Sequence, residues 1–219
     1  MIANEKSRVL YKQVQAKTRF SLDGDWQERE LQLLEEVYDH FTEVCGFNPL
    51  TFPVNIKLAH SGMNCVLASG VICYNANALT TWTITHELAH AWDKANGWQF
   101  SRRMRKATRS GFPCKAIHLL HPSWKLFWYR VGSPPPPCGV DKNFNSVEDF
   151  AEAVTAYLYP DEAAVKAEKR GMPYQKWGFQ HFHETPCGKF IQNLLNKTNN
   201  AITIPASVKI NPISTSRGK

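Results

Sequence analysis

TWTITHELAHAWDK, residues 81–94, is the stretch on which the fold turns. Apolar side chains at Ile84, Leu88, Ala91 and Trp92 recur at helical spacing, and Asn96-Gly97 supplies a stop. His86, Glu87, His90 and Asp93 gather on the other side of that helix. Residues i and i+4 share a face with Cβ atoms about 5–6 Å apart, so the imidazoles of His86 and His90 can converge on one cation. Glu87 lies one step round from His86, within reach of a water molecule at that cation. Two His, a Glu and an Asp on one side of a buried helix are costly without a partner, and a metal ion supplies one. The plain alternative is a solvent-facing polar stripe that holds nothing.

Working outward, Trp26–Cys45 carries apolar residues at Leu31, Leu34, Val37, Tyr38, Phe41 and Val44, the stripe of an amphipathic helix stopped by Gly46. Val54–His60 alternates apolar and polar side chains as a half-buried strand does. Cys65–Tyr74 reads as one or two strands broken at Gly70. Residues 1–25 are polar and read as a loosely packed lead-in. Residues 97–145 read as irregular: a basic run, the aromatic segment Pro122–Arg130, then Pro134–Pro137, which forces a short polyproline stretch. Trp124, Phe127, Trp128 and Tyr129 are expected to anchor that segment to the core. Thr185–Asn196 reads as a last helix, and 201–219 as a flexible tail.

Two histidines leave a catalytic zinc site one protein ligand short, with the fourth position kept for water. Position 93 is Asp, 95 is Ala and 96 is Asn, so no third histidine follows at the usual close spacings. A carboxylate from a second helix is the remaining common solution. Asn145–Pro160 suits it: Ser146 reads as the N-cap with Asp149 at N3, and Val147, Phe150, Ala151, Val154 and Leu158 form the apolar stripe. Glu148 and Glu152 share a face of that helix. Glu148 follows His90 by 58 residues, room enough for the chain to turn back.

His86-Glu87-Leu88-Ala89-His90 followed by Glu148-Asp149-Phe150-Ala151-Glu152-Ala153 resembles the gluzincin branch of zinc metallopeptidases. The second helix looks especially like that of anthrax lethal factor-type peptidases and related small bacterial ones. The resemblance covers residues 50–160 in layout and is specific in these two helices. It implies an α+β, zincin-like fold with a small mixed sheet and the active-site helix in an upper lobe (about 26–96). An insertion (about 97–145) and a mainly helical lower lobe (about 146–200) would complete a single catalytic domain spanning 26–200. It implies Zn2+ held by His86, His90 and Glu148, with Glu87 as general base and Glu152 hydrogen bonding towards a zinc-bound histidine. Asp149 and Glu152 compete with Glu148 for the third position; Asp149 points about 100° away on an ideal helix. Asp93 is either an exposed helix residue or the group that orients an imidazole through its second nitrogen. By the same analogy Gly70–Asn75 is either the sheet edge that pairs with an extended peptide or an ordinary inner strand. Tyr157, Tyr159, Tyr174, His181 and His183 are the candidates to steady an oxyanion, and sequence does not choose among them. His118 and His121 have no assigned role. The expected activity is endopeptidase cleavage of a protein or peptide; the alternatives are a zinc-binding scaffold or sensor without turnover, against which Glu87 speaks, and a peptidase effector targeted through its basic cluster.

A chain of 219 residues that is 43% hydrophobic is long enough for one substantial core. No run of 18 apolar residues appears, so a membrane span is not expected, and a monomer is. The net charge of +7 owes much to Arg102, Arg103, Arg105, Lys106 and Arg109. That cluster is either a solvated basic face or a contact for phosphates or an acidic partner, and no nucleic-acid-binding motif accompanies it. The N-terminus lacks the apolar stretch of a secretory signal, which points to the cytoplasm or to export by a route not written there. Six cysteines form no CxxC pair and read as mostly reduced thiols, with Cys65 and Cys73 in the core and Cys114 and Cys138 the pair to test for oxidation.

Overall fold

Leu22, Ile56 and Ile72 occupy one cross-strand row, which sets how the sheet meets the helices. Strand β1 (Ser21–Asp23) pairs in parallel with β2 (Asn55–Ala59), and β2 in parallel with β4 (Val71–Asn75). The two-residue β3 (Cys65–Val66) runs antiparallel to β4, giving the order β1-β2-β4-β3. Successive strand side chains point to opposite faces. Leu22, Ile56, Leu58, Ile72 and Tyr74 are therefore buried together, while Asp23, Asn55 and Lys57 are exposed on the other face. Among the described residues the first face carries the buried side chains of the sheet.

The computed structural model describes residues 5–108, 145–169 and 181–202. Its helices are α1 (Glu5–Thr18), α2 (Glu28–Cys45), α3 (Thr81–Ala95), α4 (Gln99–Thr108), α5 (Ser146–Leu158), α6 (Pro160–Lys169) and α7 (Pro186–Ile202). Short 3-10 turns stand at Ala76–Ala78 and Phe182–Glu184. The class is α+β with a small mixed sheet, as expected. No helix among the described residues is long and apolar enough to cross a membrane.

Trp92 of α3 is the hub of the core. Its ring lies 6.1 Å from Phe41 of α2, 5.0 Å from Phe100 of α4 and 6.0 Å from Phe150 of α5. Aromatic pairs at these separations add about 0.5–1.5 kcal/mol beyond the area they bury. Small residues Ala151, Ala153 and Ala156, all fully buried, keep the α5 backbone close to its neighbours. The α3–α5 packing that results carries the site.

Several expectations are corrected. Within the expected loose lead-in, residues 1–25, Glu5–Thr18 forms α1 and Ser21–Asp23 forms β1, and Val14, Phe20 and Leu22 are buried. A Cβ at Gly24 (φ +105°) would sit 2.2 Å from the Leu58 carbonyl oxygen, so only glycine lets β1 turn this tightly over β2. In α2 the expected Val44 is exposed and Cys45 takes the buried place. Residues 97–145 are not wholly irregular, because α4 buries Phe100, Met104 and Thr108. Its other side presents Arg102, Arg103, Arg105 and Lys106 to solvent. Of the two readings of Gly70–Asn75 the inner strand holds, since Val71–Asn75 lies between β2 and β3, and β3 is the edge. Asn145, not Ser146, caps α5, accepting the N–H groups of Val147 and Glu148 at 2.9 Å each. The last helix runs on from the expected Asn196 to Ile202, into the first two residues of the expected tail.

Cys65 and Cys73 are half-buried rather than in the core, and Cys187 is disulfide-bonded rather than reduced. Cys45 is a buried thiol that burial pushes up to about 12. Arg109, Cys114, His118, His121, the segment 122–130, Pro134–Pro137, Cys138, Tyr174 and residues 203–219 lie outside the described residues.

Candidate metal centre

The site begins with the start of α3. Thr80 accepts the Thr83 N–H at 3.1 Å, and Thr83 accepts the Thr80 N–H at 2.9 Å, a reciprocal cap that fixes where the helix begins. From there Trp82, His86 and His90 follow at four-residue intervals and share one face. Glu148 and Glu152 of α5 follow the same interval and face them. The two ladders interlock. His86 Nε2 and His90 Nε2 are 3.0 Å apart, and each lies 3.2 Å from Glu148 Oε2.

The three donor atoms lie within 4.8 Å of one another, so the structure brings together His86, His90 and Glu148. Glu152 does not join them as a ligand. Its Oε1 stands 3.3 Å from the far nitrogen of His86, Nδ1, and accepts the Trp82 indole N–H at 3.3 Å. Trp82 was not singled out in the sequence, although its spacing of four from His86 and eight from His90 was there to see. Asp149, the other competitor, is buried and lies outside the cluster.

Asp93 is fully buried and not the exposed residue of one reading, and its side-chain hydrogen bonds go to helix α4. Its Oδ1 accepts the Phe100 N–H at 2.9 Å, and both its oxygens lie 3.3 Å from the Ser101 nitrogen. It caps α4 from six residues before that helix starts.

Charge at the site is one-sided. Burial alone would lower the His86 imidazole, but Glu148 and Glu152 outweigh it and raise the group to about 10. The two imidazoles hold the Glu148 carboxyl far below the ordinary carboxylate range. Burial raises Glu87, partly opposed by His86 and His90. Glu87 Oε2 is buried and has no hydrogen-bond partner among the described residues.

This donor set fits a transition-metal ion. Tetrahedral bonds of about 2.0–2.1 Å to zinc separate neighbouring ligand atoms by about 3.3 Å, close to the spacings observed. Two imidazoles favour zinc or a neighbouring transition metal over magnesium or calcium.

The cluster opens on a cleft of about 450 Å³. Asn64, Cys65 and Val66 form its sheet-side rim, Trp82, Glu87 and Trp98 line it, and Lys166 of α6 stands over the Trp82 ring at 4.9 Å. The described oxyanion candidates are not among its lining residues. Tyr157 stacks with His183 at 4.2 Å, Tyr159 with His40 at 4.9 Å, and His181 sits 3.6 Å from Glu184. No protein-family model, no curated protein and no solved structure matches this chain.

Proposed function

We propose that this chain is a zincin-like, zinc-dependent metallopeptidase of the gluzincin type, cleaving protein or peptide substrates. The convergence of His86 Nε2, His90 Nε2 and Glu148 Oε2 beside the unpartnered carboxylate oxygen of Glu87 carries the reading.

A bound zinc ion would polarise a substrate carbonyl and bring the pKa of water at the site down to about 7. His86, His90 and Glu148 are the residues that would hold it. Glu152, 3.3 Å from His86 Nδ1, is placed to orient that ring, and Trp82 donates to Glu152. Glu87 takes the proton of the attacking water and passes it to the departing amine; a carboxyl raised by burial is better matched to that exchange near neutral pH. The oxyanion would need a donor from the cleft lining, where Asn64, Trp98 and Lys166 stand.

A purely structural zinc has no use for a buried carboxylate beside it with one oxygen free of hydrogen bonds among the described residues, which favours catalysis over a scaffold. The Cys187 disulfide favours an oxidising compartment and hence the exported alternative. Metal analysis of the purified chain, joined to a casein or peptide-library assay with and without chelator, tests the reading. One zinc per chain with chelator-sensitive cleavage is expected; zinc without cleavage of any peptide would leave a scaffold.

A further inference from the structure

Cys65 and Cys73 play no part in the chemistry above, yet they are direct cross-strand partners in the β3–β4 hairpin. The hairpin tip sets this register. Gly70 N–H donates to Leu67 O and Leu67 N–H to Val71 O, both at 2.9 Å, around the three residues 68–70. Gly70, at φ +92°, supplies the left-handed position such a loop requires. Leu67 and Val71 thus form a hydrogen-bonded pair, and alternation makes Cys65–Cys73 another. Such pairs hold their Cα atoms about 5.5 Å apart, inside the window a disulfide needs.

Opposed residues of an antiparallel pair project from the same face, and the Cys73 thiol bears on that of Cys65. Both are free thiols, and both are half-buried. Cys65 also lines the metal cleft. A small reagent can therefore reach the pair, while the backbone holds the two sulfurs together.

We propose that Cys65 and Cys73 form a reversible dithiol–disulfide couple at the cleft rim, oxidised by exchange with a low-molecular-weight disulfide of the glutathione class. One cysteine, after losing its proton, attacks a sulfur of the reagent and expels one thiolate, leaving a mixed disulfide on the protein. The cross-strand cysteine, deprotonated in turn, attacks the protein-bound sulfur and expels the second thiolate. The expelled thiolates take up the two protons, so the protein is oxidised by two electrons and the reagent reduced by two. Burial raises the Cys65 thiol, so the exchange is slow and is followed over hours at mildly alkaline pH.

The full chain is equilibrated with graded ratios of oxidised to reduced glutathione, quenched with an alkylating agent and digested with trypsin. Lys57 and Lys94 bound one peptide that holds both cysteines. At high ratios this peptide is expected two hydrogens lighter than its dithiol form and unalkylated, and excess reduced glutathione is expected to restore it. Cys65→Ser is expected to stop at a glutathione adduct on Cys73, because no partner remains to displace it. Two cysteines alkylated at every ratio, or wild type accumulating an adduct at each, overturns the proposal. Neither readout uses peptidase activity, so it stands or falls apart from the proposed hydrolysis.

Discussion

Replacing Glu87 by Gln keeps the side chain's volume and removes its capacity to hold a proton, so it separates metal binding from proton transfer. His86, His90 and Glu148 supply the three converging atoms without it. Glu87→Gln should retain one zinc per chain while peptide cleavage falls by at least the ~10²–10⁴-fold attributed to a general base. His86→Ala should lose both. Wild-type cleavage rates in the Gln variant would remove Glu87 from the mechanism. The raised His86 makes a second prediction. Zinc binds neutral imidazole, but a group standing at about 10 is protonated at pH 7. Calorimetric titration of metal-free protein with zinc at pH 7, in buffers of differing ionisation heat, should report release of about one proton from this one group, declining as pH approaches 10. Glu148, already ionised, adds none. The sign for stability follows: the folded value exceeds the unfolded 6.5, so metal-free protein has the full contribution below pH 6.5 and loses it as pH rises through about 10. Heats independent of buffer at pH 7 would show that His86 is not protonated there.

At the scale of elements, Asp93 separates a helix cap from an imidazole clamp. Its carboxylate serves the Phe100 and Ser101 amides, so Asp93→Ala strands two donors at the start of α4. Loss of a cap costs about 0.5–2 kcal/mol and an unsatisfied buried donor about 1–3. Chemical denaturation should therefore show a loss of about 1–3 kcal/mol with zinc content unchanged, and Asp93→Asn should recover most of it. Loss of zinc at unchanged stability would instead make Asp93 the partner of His90. The same residue shows where sequence reading succeeds and where it stops. Helices α3 and α5, with their ladders of four-residue spacing, were legible because local periodicity and function coincide there. The α4 helix was missed although Phe100, Met104 and Thr108 have helical spacing, because four basic residues interrupt the stripe and its cap lies back in α3. Asn145 and Ser146 are both good caps, and nothing local chooses between them. The edge position passed to β3 because Gly70 turns the chain back on itself, a tertiary pairing that periodicity alone cannot report.

For the whole molecule, the question is whether the site needs the first 25 residues. Helix α1 buries only Ser7, Val14 and Thr18, and β1 buries only Leu22, so neither leaves a stripe that reads as structure in the sequence. Their contribution is nonetheless large. Val14, Phe20 and Leu22 are 0%, 3% and 6% exposed, and burying each contributes about 1.5–3 kcal/mol, or roughly 4.5–9 together. Lys17 adds ion pairs to Glu35 at 2.9 Å and Asp39 at 2.7 Å of α2, exposed contacts that contribute about 0–1 kcal/mol each. Domains of this kind hold only about 5–15 kcal/mol in total. Removing β1 also bares the Asn55–Lys57 edge of β2, and removing α1 uncovers α2, which packs on the helix bearing His86 and His90. A chain beginning at residue 26 should therefore show no cooperative thermal transition by circular dichroism and no stoichiometric zinc, under conditions where the full chain shows both. A cooperative transition within a few degrees of the full chain's would mean that the centre rests on α2–α5 and β2–β4 alone, with α1 and β1 an appendage to them.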